Sequence, residues 1–186
     1  MKVSIKKIIL ITIVSVVSSF VLGTIGLLLY FKLQFSVYQD TQYKFSIMYP
    51  KTWKVIIHPK KYVAVIFLRP KDTELDVLQE NFNVTVQPLP EGIVTLDEFS
   101  DRVKSQMIGV FGSHVRFVQY KQLSFGGRYH GYQMALEAPE PDNLKMVNAW
   151  TLRDNQSYIL TFLGNIDKYA QDSFVVGTMI HSFRLR

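Results

Sequence analysis

Ile8 to Phe31 is a run of 24 residues without a charge, rich in Ile, Val and Leu. No other feature constrains the chain as strongly. As a helix the run is roughly 36 Å long, enough to cross about 30 Å of hydrocarbon with some tilt. Lys2, Lys6 and Lys7 precede it, Tyr30 and Phe31 stand at its far end as interfacial aromatics, and Lys32 closes it. Lysines on the short N-terminal side predict a cytoplasmic N-terminus, with everything after Lys32 extracytoplasmic. A cleaved signal peptide is the competing expectation, but its apolar region would span only about 7–15 residues and end in a small-residue site. Here the small residues Ser18, Ser19 and Gly23 lie inside the run. We therefore expect an uncleaved signal anchor over residues 1–32, in the membrane through Ile8–Phe31.

This anchor changes how the charge reads. The 186 residues carry a formal net charge of +6, yet from Leu33 onward 17 Lys and Arg face 15 Asp and Glu. The exported part is thus nearly neutral. A nucleic-acid surface calls for a basic stripe with interleaved aromatics, and none is visible, so no nucleic-acid partner is expected. The absence of cysteine excludes disulfides, thiolate metal sites, cysteine nucleophiles and a lipid-modified cysteine.

Residues 33–42 read as a short linker holding the next domain within about 30 Å of the bilayer. Residues 43–186 then alternate between two periodicities. Tyr43, Phe45, Ile47 and Tyr49 alternate with polar neighbours up to Pro50, which predicts a strand. Trp53, Val55 and Ile57 predict a second. Tyr62–Leu68 is apolar on both faces and suits a central strand, and Asn81–Gln87 alternates cleanly.

At Thr95 the period changes to that of a helix. Thr95 and Glu98 form a capping-box pattern, followed by Leu96, Phe99, Val103, Met107 and Val110 at helical spacing, with Gly109 and Gly112 at the end. Val115–Phe125 and Tyr129–Ala138 read as strands joined by a tight turn at Gly126-Gly127. Met146–Leu152 and Tyr158–Leu163 form a hairpin around Asp154-Asn155. A last helix is expected from about Asn165, with Ile166, Ala170, Phe174 and Ile180 on its inner face. Short connections favour antiparallel neighbours. The expected class is α+β, a central antiparallel sheet flanked by helices and preceded by a single transmembrane helix.

The segment Tyr43-Lys-Phe-Ser-Ile-Met-Tyr-Pro-Lys-Thr-Trp53 resembles the Y-x-F-S-I-x-Y-P-x-x-W opening of the PsbP-like family, the extrinsic photosystem II subunits and their relatives. Asn81–Val86, Leu96–Phe99, Gly127 with Tyr132, Tyr158–Phe162 and Ser182-Phe183 are similar to later family segments in the same order. The resemblance spans Tyr43 to Arg186. It implies the Mog1/PsbP-like fold and a non-enzymatic accessory role. It places no metal-binding or docking residue on this chain.

Candidate chemistry is sparse. His58, His114, His130 and His181 show no HxH or HExxH spacing. Asp72, Glu74 and Asp76, with Glu80 behind them, are alternating carboxylates between two strands and are the weak candidates for a hard divalent cation. They lack the EF-hand spacing and its glycine, so a solvated loop is the simpler expectation and no cofactor is implied. No G-x-S-x-G is present, and the adjacent pair Ser113-His114 does not by itself build a triad. Gly126-Gly127-Arg128 opens no helix and is not a phosphate loop. Trp53 and Trp150 are expected in the core.

Three functions stay open at this point. The first is an accessory module binding a membrane or envelope protein partner, without catalysis. The second is a small-ligand or divalent-metal-binding extracytoplasmic domain. The third is an enzyme.

Overall fold

A computed structural model describes residues 5–73, 78–112, 115–138 and 143–186. The chain divides into two units, residues 1–36 and 37–186. The first is dominated by helix α1 (Ile5–Gln34). Its segment Thr12–Gln34 is long and apolar enough to cross a membrane, none of it buried, and is a candidate membrane span. Residues 33–42, expected as a linker, instead enter strand β1 (Phe35–Asp40) directly after the helix.

The domain then runs β2 (Phe45–Pro50), β3 (Lys54–Lys60), β4 (Val63–Leu68), β5 (Asn81–Pro88), α2 (Leu96–Phe111), β6 (Arg116–Phe125), β7 (Tyr129–Ala138), β8 (Leu144–Arg153), β9 (Gln156–Asn165), α3 (Tyr169–Ser182) and β10 (Arg184–Leu185). Two sheets form rather than one. The large sheet has seven strands in the order β3-β4-β5-β9-β8-β7-β6, with every pair antiparallel. The small sheet is β1-β2-β10. The α+β class with helices against antiparallel sheets is thus what the chain adopts.

Local chemistry sets the turns. Gly126 and Gly127 both take positive φ (62° and 70°), as do Asp154 and Asn155 (50° and 58°). Two successive left-handed residues match the right-handed twist of the strands they join. Thr95 caps α2 as its spacing predicts: its side chain accepts the Glu98 amide at 3.2 Å, and the Glu98 carboxylate accepts the Thr95 amide at 2.9 Å. The helix passes through Gly109 and stops at Gly112, whose φ of 64° suits glycine.

The large sheet separates two cores. One face carries Phe67, Phe82, Val147 and Phe162, packed with Phe45 and Ile47 of β2, Val176, Met179 and Ile180 of α3, and Phe183. The inner face of α3 therefore differs from the expected one. The helix starts at Tyr169, Ile180 is buried, but Ala170 and Phe174 lie outward, with Phe174 54% exposed. The inner stripe is instead Asp172, Val176, Met179 and Ile180. The other face carries Met134, Leu136 and Trp150, covered by Phe99 and Val103 of α2.

Candidate functional site

The second face is incompletely covered, and a groove opens there between α2 and β6. Phe99, Ser100 and Val103 turn α2 onto β7 and β8, so the next stripe of the helix, Asp97, Lys104 and Ile108, faces the neighbouring edge strand. On β6 the register pairs Phe117 with Leu136, Tyr120 with Met134 and Gln122 with Tyr132. A bulge between Phe117 and Gln119 keeps Phe117 and Tyr120 on the same face. Side chains of β6 therefore line the groove floor beside α2.

The groove holds two recesses of different chemistry. The apolar one, about 360 Å³, is lined by Lys104, Ile108, Phe117, Tyr120 and Met134. The polar one, about 250 Å³, is lined by Leu96, Asp97, Gln122, His130, Gly131 and Tyr132. Stacked rings join them: Tyr120 and Tyr132 lie 5.2 Å apart at 12°, and Trp150 is 6.4 Å from each. The Lys104 ammonium sits 4.0 Å above the Tyr120 ring. Tyr132 donates to Asp97 at 2.6 Å and accepts from Gln122 at 3.2 Å. The hydrogen bond to the Asp97 carboxylate raises the Tyr132 phenol above its ordinary value. Ile108, Phe117, Val118 and Tyr120 are between 42% and 53% exposed, and Val110 is 73% exposed. Val110, expected on the buried stripe, lies outside it. The groove offers aromatic faces, apolar volume and a cation, which is the chemistry of docking.

Two polar clusters lie elsewhere. Asp40 accepts hydrogen bonds from the Tyr43 amide at 2.8 Å and the Tyr38 hydroxyl at 3.0 Å, and its carboxylate is 2.9 Å from His58 Nε2. Burial alone would raise this carboxyl, but the three partners outweigh it and hold Asp40 below its ordinary value. Burial and the same carboxylate push the Tyr38 phenol up. His58 takes φ 45°, at the irregularity of β3 between Ile57 and Lys60.

The second cluster gathers around Arg69, which reaches Asp72 at 3.0 Å, Asp172 at 3.1 Å and Glu80 at 3.6 Å, while Lys168 meets Asp72 at 3.1 Å. Arg69 and Lys168 hold the Asp72 carboxyl below its usual range. Burial raises Asp172, against the pull of Arg69 and with the help of Glu80 and Asp72. Of the three weak cation candidates, Asp72 is thus occupied by two cationic side chains, and Glu74 and Asp76 lie outside the described residues. Among the described residues, no group of three or more His, Asp or Glu side chains is arranged to hold a metal ion.

The histidines go to separate places. His58 joins Asp40, His130 lines the polar recess, and the ring of His181 is 2.7 Å from the Gly177 carbonyl. His114 and its neighbour Ser113 lie outside the described residues. Trp53 and Trp150 are buried, as expected. Sequence reasoning missed the groove residues Asp97, Lys104, Tyr120 and Tyr132. The available signal was the stretch Arg116-Phe-Val-Gln-Tyr120, where apolar residues fall on both faces of a strand that begins and continues with cations.

Comparison with known proteins supplies a family. No curated protein sequence matches the chain. Solved structures do match in fold. The solution structure of the cyanobacterial PsbP (CyanoP) of Synechocystis superposes with a TM-score of 0.61 at 14% identity, covering 82% of this chain and 93% of that one. LpqN of Mycobacterium tuberculosis, described as involved in cell envelope biogenesis, gives 0.58 at 7% identity over 82% and 90%. The Ran-binding protein Mog1p of Saccharomyces cerevisiae gives 0.56 at 8% identity over 81% and 95%. At these identities the likeness is one of fold. The PsbP family model matches residues 33–185, nearly the whole chain beyond the apolar helix, and the protein belongs to the PsbP family.

Proposed function

We propose that this protein is a membrane-anchored, extracytoplasmic accessory module that binds a membrane or envelope protein partner and catalyses no reaction itself. The observation that carries the reading is the α2–β6 groove, where Ile108, Phe117 and Tyr120 expose apolar and aromatic surface around a 360 Å³ recess. Exposed apolar surface is costly to leave in water, and a contiguous patch of it marks an interaction site. The polar recess adds hydrogen-bonding groups beside it. The uncharged segment Ile8–Phe31 and the lysines before it support anchoring, with the domain on the extracytoplasmic side. The structural relatives include one described as Ran-binding and one described as involved in cell envelope biogenesis, and both keep this fold.

The test is a pull-down of the detergent-solubilised full-length chain from its native membranes, read by mass spectrometry, beside the Ile108→Glu and Phe117→Glu variants. A stoichiometric protein recovered with the wild type and lost with both variants is the expected result. Recovery unchanged by either variant refutes the groove as the docking site. Recovery of nothing refutes the accessory role.

A further inference from the structure

The large sheet has two edges, and they are built differently. At β3 the edge carries Pro59, a left-handed His58 and lysines at both ends. Those are devices that discourage another strand from adding. At β6 the edge is ten residues long, contains no proline, and has β7 as its one neighbour among the described residues. After the bulge at Phe117–Gln119, the stretch from Gln119 to Phe125 pairs with β7 in unbroken register. The outer backbone groups of such a strand are a template for pairing.

The two sides of this edge differ in chemistry. On the α2 side stand Phe117, Tyr120 and the apolar recess. The alternate positions carry Arg116 and Lys121, both exposed. Arg116 shares Glu137 with Lys145, whereas Lys121 has no ion-pair partner among the described residues. The strand RFVQYKQLSF contains no carboxylate.

We infer that β6 binds an extended segment of a partner protein as an eighth strand, a segment whose residues alternate between apolar and acidic. Because side chains of a strand alternate in direction, its apolar residues enter the α2–β6 recess. Its carboxylates then stand opposite Lys121 and Arg116, where opposite charges across a strand pair attract. A second copy of this chain fits less well, since it would bring its own Arg116 and Lys121 and no acid to the seam. This inference rests on the groove being a protein-docking site and adds how the partner is held.

The probe is a labelled eight-residue peptide alternating Val and Glu, compared with its Val–Lys counterpart, added to the full-length chain in detergent micelles. Fluorescence anisotropy reads affinity and amide hydrogen exchange reads location. The expected result is saturable binding of the Val–Glu peptide, with exchange slowed at least ten-fold within 116–125. Lys121→Glu should weaken it by about five- to ten-fold and reverse the preference toward Val–Lys.

Three results overturn the inference: no saturable binding, slowing confined to other strands, or unchanged preference in the Lys121→Glu protein. Slowed β6 amides without peptide, together with a doubled mass by light scattering, overturn it in favour of self-pairing. The variant also separates the two proposals. A native partner lost with Ile108→Glu but recovered equally by Lys121→Glu and wild type refutes strand addition and leaves the accessory role standing.

Discussion

One buried hydrogen bond helps fix α2, and with it one wall of the groove, and it can be removed cleanly. Trp150 is fully buried, and its Nε1 donates to Ser100 Oγ at 2.8 Å. Ser100 Oγ in turn donates to the Leu96 carbonyl at 2.7 Å, which leaves its lone pairs facing the indole. Ser100→Ala keeps the helix and strands the indole N–H in an apolar core, at a cost of about 1–3 kcal/mol. Alanine is the better helix former by up to ~0.5 kcal/mol, which offsets part of that. The net expectation is a loss of about 1–2 kcal/mol, or roughly 3–6 °C in melting temperature for a domain of this size. The stronger test is the cycle with Trp150→Phe, followed by thermal unfolding with circular dichroism. With no indole N–H to satisfy, Ser100→Ala should become neutral or slightly stabilising, giving a coupling of about 1–2 kcal/mol. Additive losses in the double variant would refute the claim that this hydrogen bond, rather than the serine's place in the helix, sets the cost.

Three further outcomes follow from the same structure. A Cβ at Gly131 would meet the Trp150 carbonyl oxygen and come within 2.5 Å of the Phe125 ring, so Gly131→Ala should destabilise by about 2–3 kcal/mol or more in urea unfolding. Gly131 has no positive φ, so this loss is steric and should be partly relieved by Phe125→Leu. Asp40 is held below its ordinary value, so its contribution to stability is complete above the unfolded carboxyl range, near pH 4, and is lost as pH falls through the lower folded value. Melting temperature recorded between pH 6 and 2 should drop less steeply for Asp40→Asn than for wild type, from a lower starting point. Asn155 takes φ 58° in the β8–β9 turn, so Asn155→Gly should raise stability by about 0.5 kcal/mol, measured by the same unfolding.

What could be read along the chain was whatever the chain decides locally. The capping box at Thr95, the paired left-handed turns at Gly126-Gly127 and Asp154-Asn155, and the clean alternation of Asn81–Gln87 each fix a few residues without outside help. Where distant partners decide, the reading failed. Residues 35–40 carry too little alternation to announce β1, which is held by the strand beside it and by Asp40 meeting His58. The inner stripe of α3 includes a buried Asp172, which no hydrophobic pattern selects; its place is set by Arg69, 103 residues earlier in the chain. The start of that helix is delayed by Asn165, whose side chain accepts the Asp167 amide at 2.8 Å in a local turn that competes with helix. The groove was illegible for the same reason, since Tyr120, Tyr132 and Asp97 come from three elements.

The uncovered part of the sheet argues that the groove is a selected feature rather than a leftover. Seven strands at about 4.8 Å make a sheet roughly 30 Å wide, and one helix about 10 Å across covers only two or three of them. On the α3 side the small sheet makes up the difference. On the α2 side Leu89 and Ile93, before the helix, add cover, and it stops short of β6. Toward β5 and β9 one row of this face is polar and half-buried or buried: Asn83 pairs with Thr161, and Thr161 donates to the buried Asn148 at 2.8 Å. At β6 the same row ends in Tyr120, 42% exposed, with Phe117 beside it, 44% exposed. A surface shaped only by solubility would have made this exposed end of the row polar. Replacing Phe117 and Tyr120 together by Thr should therefore lower the melting temperature by only about 2–6 °C, the loss of the Tyr120–Tyr132 stack and the Lys104 contact, while abolishing partner capture. A large loss of stability instead would show that these rings belong to the core, and the docking surface would have to be sought elsewhere.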